Sequence, residues 1–355
     1  MTITIDGRAV GPGEPTYFIA DIAANHDGSL DRARELIRLS KEAGADAAKF
    51  QHFKAEAIVS AVGFDRLDEG STHQSSWSKS VTEVYADASV PDDWTAILKQ
   101  ECDEAGLTFF SSPYDFASVD AIDPYVPVFK IGSGDIDWLE EVTYIAAKGK
   151  PVILATGAAT IGEVQRAVHA VRAINDQLIL LQCNTNYTAD EANFDHLHLR
   201  VLTSYAAMWP DLVIGLSDHT SGPAAVLGAV ALGATVIERH FTDDNSREGP
   251  DHKFALDPTA WRAMVDQTRQ LERALGSADK FVAANEIDTA VVQRRCVRAG
   301  RALPVGQVIG RDDLHVLRPA TAGAISPAEI DSVIGRTVRR ELASGEELRW
   351  TDLDA

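Results

Sequence analysis

The sequence predicts an α/β fold, a (β/α)8 barrel followed by a small β-rich domain, and three observations carry that expectation. Eight short apolar, β-branched runs recur over the first 241 residues, each followed by a polar or Gly-containing turn. The segments between them are amphipathic, with apolar residues three and four apart, as in "DRARELIRLSKEAGAD" and "GEVQRAVHAVRAIN". After "ALGSADKFVAANE" the pattern changes to short runs at turn spacing. Strand–helix alternation repeated eight times implies a closed parallel barrel. A doubly wound open sheet is the alternative, but it usually needs fewer strands and a Gly-rich first turn, and "ADIAANHDGS" is not GxGxxG.

In chain order the eight runs are "YFIADIA" (17–23), "DAAKFQ" (46–51), "LTFFSSP" (107–113), "VFKIGSG" (128–134), "PVILATG" (151–157), "LILLQCN" (178–184), "LVIGLSD" (212–218) and "ATVIERHF" (234–241). One connection is too long for a single crossover helix: residues 55–92, which include "HQSSWSKSVTEVYADAS". An excursion of that length is either a lid or substrate loop, or a surface insertion without a role. In the tail, "LPVGQVI" and "LASGEEL" read as short strands around one small helix, "SPAEIDSVIG". The expected organisation is a barrel over 1–280, a linker over 281–294 and a β-rich domain over 295–355.

A chain of 355 residues with 45% hydrophobic content can bury the core of one large and one small domain. No run approaches the ~18 apolar residues of a membrane span, and the N-terminus lacks a basic-then-apolar signal, so a soluble cytoplasmic protein is expected. Cys102, Cys183 and Cys296 are widely spaced, which argues against a disulfide scaffold or structural zinc and fits a reducing compartment. A net charge of −20 argues against nucleic acid as a partner. An anionic small molecule remains compatible if a few cations are focused in one cleft.

In such a barrel the chemistry gathers at the C-terminal strand ends and the loops after them. Useful side chains collect there: Asp21, Asn25 and His26; Lys49 and Gln51; Ser111 and Ser112; Lys130, Ser133 and Asp135; Thr156; Asn184, Thr185 and Tyr187; Ser217, Asp218 and His219; Glu238 and His240. Lysines inside apolar strands are the most informative, because a buried unpaired ammonium costs several kcal/mol. The compensating anion is either a carboxylate such as Asp21 or Glu238, or a phosphate or carboxylate ligand; two lysines flanked by Ser112, Ser133 and Thr156 favour the ligand. His219 and His240 end adjacent strands, ~4.8 Å apart in a sheet. Their imidazoles could reach one divalent ion, with water or substrate completing an open site.

Taken together, "FIADIAANHDGSLDRARELIRLSKEAGADAAKFQ", "FFSSPYDFASVDAI", "FKIGSGDI", "KPVILATGAAT", "GLSDHT" and "GATVIERHFTDDNSREGPDH" resemble the N-acetylneuraminate (sialic acid) synthase family. The tail, with "LRPATAGAISPAEIDSVIGR", is similar to that family's C-terminal antifreeze-like (SAF) domain. The resemblance runs over essentially the whole chain in the same order. It implies a transferase: C3 of phosphoenolpyruvate attacks the aldehyde of an open-chain N-acyl amino sugar, typically N-acetylmannosamine. Water adds at C2, and phosphate leaves to give a 2-keto-3-deoxy sugar acid. It also implies a divalent metal, Mn2+ or Mg2+, held at the positions of His219 and His240. Lys49, Lys130, Ser112, Ser133 and Ser217 match phosphoenolpyruvate contacts, and Gln51, Tyr187 and Asp251 match sugar-facing positions. Arg318 matches an arginine that the SAF domain inserts into the neighbouring subunit's barrel in a domain-swapped homodimer.

The chain departs from the family pattern at Asp21 and Asp135, where Glu is usual, at Ala155, where Ser is usual, and at Thr185, where Ser or Asn is common. Each Glu-to-Asp exchange withdraws a carboxylate by roughly 1.5 Å, which bears on the catalytic set Asp21, Lys49, Lys130, Asp135 and Glu238, since a general base must lie within hydrogen-bond reach. Two further readings are a Schiff-base aldolase or lyase using Lys49 or Lys130, and a sugar- or phosphosugar-binding regulator that has lost the chemistry.

Overall fold

The computed structural model describes residues 1–66 and 79–354. The chain forms two compact units, Met1–Gly276 and Ser277–Ala355.

The first unit opens with an antiparallel hairpin, β1 (Ile3–Ile5) and β2 (Arg8–Val10). Its turn is Asp6-Gly7 with φ of 49° and 76°, the left-handed pair that a two-residue hairpin loop requires. Gly11, just after β2, lies against Val213, so the hairpin closes the N-terminal end of the barrel and buries Ile3, Ile5 and Val10 there.

The eight apolar runs become eight parallel strands: β3 (Tyr17–Asp21), β4 (Ala47–His52), β5 (Thr108–Pro113), β6 (Phe129–Ile131), β7 (Val152–Ala155), β8 (Leu178–Cys183), β9 (Val213–Asp218) and β10 (Val236–His240). They form a closed barrel in sequence order, with β10 returning to pair β3. Closure excludes the doubly wound alternative. Nearly every strand residue is buried, because side chains alternate between the barrel interior and the helix layer. The registers that matter put His240 opposite Asp21, Asp21 opposite Lys49, and Glu238 opposite Ser217.

The surrounding helices start where the sequence supplies caps. Ser29 accepts from the Arg32 amide to begin Leu30–Glu42, whose buried positions Ala33, Leu36, Ile37 and Ser40 fall at helical spacing on one face. Thr160 and Glu163 form a capping box for Ile161–Arg172. The long connection carries short helices Ala55–Ile58, Ala61–Phe64 and Val81–Ala88 before the crossover helix Trp94–Ala105. Residues 67–78, including most of "HQSSWSKS", lie outside the described residues. Among the described residues no helix is long and apolar enough to cross a membrane.

The second unit has one antiparallel pair, β11 (Cys296–Ala299) and β12 (Leu314–Leu317), over a core that includes Val297, Leu303, Ile309, Val333 and Leu342. The runs "LPVGQVI" and "LASGEEL" make isolated bridges, Leu303 to Leu342 and Val308 to Thr337, instead of strands. Each run turns at a left-handed glycine, Gly306 (φ 83°) or Gly345 (φ 84°), which breaks a ladder after one rung. The expected small helix is one turn, Ile330–Val333, after a 3-10 turn capped by Ser326. Residues 281–294 carry the helix Ile287–Gln293.

Candidate functional site

Alternation along the barrel strands gathers the interior side chains at the C-terminal end into one layer. Asp21, Lys49, Ser112, Lys130, Ser217 and Glu238 are all buried. Lys49 Nζ donates to Asp21 Oδ2 at 2.6 Å, lies 3.5 Å from Ser112 Oγ, and is 3.9 Å from Glu238 Oε2. Lys130 Nζ donates to the Ile131 carbonyl at 2.9 Å and is 3.6 Å from Glu238 Oε1, which also accepts from Ser217 Oγ at 3.0 Å. Glu238 therefore bridges the two lysines.

The electrostatics follow from this packing. Burial opposes charge on Lys49, but Asp21 and Glu238 outweigh it and raise its pKa. Burial lowers the pKa of Lys130 despite Glu238. Burial works against the Glu238 carboxylate, yet Lys130 and Lys49 hold its pKa below the usual value. Asp21 is shifted up by burial, against the attraction of Lys49, and its Oδ1 has no hydrogen-bond partner.

The two histidines close the layer on one side, with ring centroids 5.4 Å apart. His219 Nδ1–H donates to the Asn184 carbonyl at 3.0 Å, so in the neutral ring Nε2 carries the lone pair; burial lowers the pKa of His219, but Cys183 and Asn184 outweigh it and raise it. His240 is held to a pKa of about 3 by burial and is neutral. Its Nε2 is 3.6 Å from Asp21 Oδ2, its Nδ1 is 3.7 Å from Asp251 Oδ2, and Nδ1 is buried without a hydrogen-bond partner. Two imidazoles with one orphaned nitrogen fit a borderline divalent ion. No group of three or more His, Cys, Asp or Glu side chains among the described residues is arranged to hold a metal, and an ion held by two imidazoles alone would have coordination positions open to water or substrate.

A cavity of about 160 Å3 lies beside His240, lined also by Gln51, Tyr85, Tyr114, Tyr187 and Asp251 among others. Val84, Tyr85 and Ala88 come from the helix Val81–Ala88, so the long connection contributes a wall to this mouth. Tyr187 packs edge-on against His219 at 4.5 Å, and Phe254 packs against both imidazoles. Asp251 accepts from the Ala24 amide at 3.3 Å. Asp135 sits on the 3-10 turn Ser133–Asp135 after β6, and burial lifts its pKa to about 6. A larger groove of about 680 Å3 along residues 194–201 contains none of these groups.

Other strand-end side chains are tied to neighbours around the layer. Ser133 Oγ accepts from the Gly157 amide at 3.0 Å, and Thr185 Oγ1 packs against Gly157 and lies 3.9 Å from Cys183 Sγ. Thr156 donates to the Leu181 carbonyl at 2.9 Å and accepts from Tyr205 OH at 3.0 Å, so its hydroxyl is committed toward the helix layer. Ser111 bonds His52 Nδ1 at 2.7 Å, away from its neighbour Ser112. Asn25 ties its loop to the Phe241 carbonyl at 2.9 Å, and His26 stacks edge-on against Trp94. Arg318 is exposed in the second unit, directly after β12.

Sequence reasoning passed over Tyr114, Phe254, Cys183 and Arg239. Burial pushes the Cys183 thiol up, but the neighbouring His219, Ser133 and Ser217 outweigh it and lower its pKa. Arg239 carried a legible signal, a cation inside the apolar run "TVIERHF", the same signal that singled out the lysines.

Comparison with known proteins shows the family of the chain. The NeuB family model matches residues 36–280, and the SAF domain model matches residues 294–354. The chain is 33% identical to the N,N'-diacetyllegionaminic acid synthase of Legionella pneumophila, covering 97% of this chain and 96% of that protein. It is 33% identical to the human N-acetylneuraminate-9-phosphate synthase, covering 94% of this chain and 91% of that protein. The crystal structure of an N-acetylneuraminic acid synthetase from Leptospira borgpetersenii in complex with citrate superposes with a TM-score of 0.71 at 26% identity, covering 81% of this chain and 95% of that one. An eight-stranded barrel with paired lysines and carboxylates at its mouth, a matching second unit and near-full-length similarity place this chain in the NeuB family.

Proposed function

We propose that the chain condenses phosphoenolpyruvate with an N-acyl amino sugar aldehyde, N-acetylmannosamine or a related sugar, to give a 2-keto-3-deoxy sugar acid and phosphate. The product class is a sialic or other nonulosonic acid. The observation that carries this reading is the buried Lys49–Lys130 pair bridged by Glu238, beside two facing imidazoles. Family membership and the synthase names of the relatives support it.

In this reading Lys49, Lys130, Ser112, Ser133 and Ser217 hold the carboxylate and phosphate of phosphoenolpyruvate. Gln51, Tyr187 and Asp251 face the acceptor from the mouth cavity. Thr185 supports this layer through Gly157 and Ser133, and Thr156 contributes through β7, not by direct contact. The new bond joins C3 of phosphoenolpyruvate to the aldehyde carbon, whose oxygen takes up a proton. Water adds at C2, giving its proton to a carboxylate, a role this reading gives to Asp21 or Glu238. Cleavage of the C2–O bond to phosphate, with the C2 hydroxyl proton leaving to the departing phosphate, gives the ketone. Asp135, with a pKa of about 6, exchanges a proton readily near neutral pH. His219 and His240 would hold a divalent cation, Mn2+ or Mg2+, which when bound polarises the aldehyde oxygen as a Lewis acid. Arg318 reaches a neighbouring subunit's barrel in a domain-swapped homodimer.

The test is phosphate release from phosphoenolpyruvate with Mn2+ and a panel of N-acyl hexosamines, including 2,4-diacetamido-6-deoxy sugars, with the product identified by mass spectrometry. No release with any aldehyde from folded, metal-loaded protein would favour a binding role. The lowered pKa of buried Lys130 favours, as a second reading, a Schiff-base aldolase. Covalent labelling of Lys130 by pyruvate and borohydride would establish that reading and exclude the condensation.

A further inference from the structure

Asp218 and Arg239 are register partners across β9 and β10, and each immediately precedes one of the two histidines. Strand alternation turns Ser217 and His219, and likewise Glu238 and His240, toward the barrel interior, so Asp218 and Arg239 face the helix layer. Both are about 1% exposed. Arg239 Nη1 lies 3.2 Å from Asp218 Oδ2 and donates to the Gly222 carbonyl at 2.5 Å, while Nη2 donates to the Thr220 carbonyl. Asp218 Oδ1 accepts from the Thr220 amide at 3.0 Å and the Thr220 hydroxyl at 2.8 Å. The Asp218 side chain before His219 and the backbone carbonyls of Thr220 and Gly222 after it are thus tied to a guanidinium whose own strand continues into His240.

A buried ion pair is poor value for stability alone, since apolar residues of similar volume usually do as well or better. What this pair does that apolar packing cannot is couple the loop bearing one imidazole to the strand bearing the other, through a planar fork with fixed donor directions. From this geometry we infer that Arg239, clamped by Asp218, is a positioning residue that sets the separation of His219 and His240 and thereby their joint affinity for a divalent cation. The inference rests on the reading of those histidines as metal ligands.

The experiment measures Mn2+ affinity of the full chain by electron paramagnetic resonance of free Mn2+, with unfolding of the metal-free protein followed in parallel. The double variant Asp218→Leu/Arg239→Met removes the charges together and is expected to fold, with Mn2+ affinity about 10–100-fold weaker, the range seen when groups orienting metal ligands are lost. Arg239→Lys keeps the charge but cannot reach both carbonyls, and is expected to lose at least about fivefold. Wild-type affinity in the folded double variant, or in Arg239→Lys should the double variant not fold, overturns the inference. His240→Ala separates the two levels of the argument. Loss of binding there with full binding in the clamp variants refutes the clamp alone. Unchanged binding in His240→Ala refutes the ligand assignment, and the clamp with it.

Discussion

Glu141 offers a sharp test of the packing behind the site. It lies on the helix Leu139–Ala146, which follows the Ser133–Asp135 turn; it is 1% exposed, and neither carboxylate oxygen has a hydrogen-bond partner. Burial, then Asp135 and Asp115, push its pKa from 4.5 to about 8. A carboxyl with a raised folded pKa binds more protons in the native than in the unfolded chain. Stability is therefore lost as pH rises from about 4.5 through about 8, at up to about 1.4 kcal/mol per pH unit. The whole interval is worth at most about 5 kcal/mol, and relaxation of the surroundings toward the new charge, which gives buried sites an effective dielectric well above that of dry protein, reduces this to about 2–3 kcal/mol. Glu141→Gln keeps the shape and removes the titration. Urea unfolding at pH 5 should barely separate variant from wild type, whereas at pH 8.5 the variant should be more stable by about 2–3 kcal/mol, or about 3–5 °C in Tm for a unit of this size. A difference that does not change with pH, or a variant less stable at pH 8.5, would refute the assignment of an unpaired buried acid.

Three further outcomes are expected. His219→Ala or His240→Ala should abolish metal-dependent turnover while the far-ultraviolet circular dichroism stays that of wild type; full activity in either removes the ligand assignment. Arg318→Ala should raise the KM for the sugar more than that for phosphoenolpyruvate, and an unchanged sugar KM argues against a shared active site. In Gly157→Ala the new Cβ would stand 1.8 Å from Thr185 Oγ1 and 2.9 Å from Ser133 Oγ, so both must move. Overpacking of about 1–3 kcal/mol and a raised KM for phosphoenolpyruvate are expected, with thermal unfolding and steady-state kinetics as the checks.

The barrel was legible because parallel strands buried on both faces read as continuous apolar runs, and every one of the eight runs became a strand. Lys49 and Lys130 stood out for the complementary reason, that a cation in such a run needs an anion. What periodicity cannot supply is the side to which a strand-end residue turns. Thr156 and Ser111 occupy the same kind of position as Ser112, yet their hydroxyls are committed to Leu181, Tyr205 and His52. Glu141 was invisible because an acidic residue in "LEEV" reads as the solvated face of an amphipathic helix. In the tail, the glycines that permit tight turns also interrupt the ladders, so patterns that look like strands become single bridges.

The charge balance of the layer carries a consequence for ligand binding. Lys49 and Lys130 are already faced by Asp21 and Glu238, so the quartet is formally neutral before any ligand arrives. A substrate with both a phosphate and a carboxylate brings several negative charges into a buried site where the nearest acceptors, Asp21 and Glu238, repel it. Like charges at such distances in low dielectric cost several kcal/mol. The two histidines at the edge of the quartet, of which His240 is held neutral by burial, would supply a place for two compensating positive charges without disturbing either lysine. Phosphoenolpyruvate and Mn2+ should therefore bind synergistically, each tightening the other by the same factor, as linkage requires. Titration calorimetry of each ligand with and without the other measures both factors. Independent affinities would mean that the lysines abandon their carboxylates for the substrate, and that the neutral quartet does not govern binding.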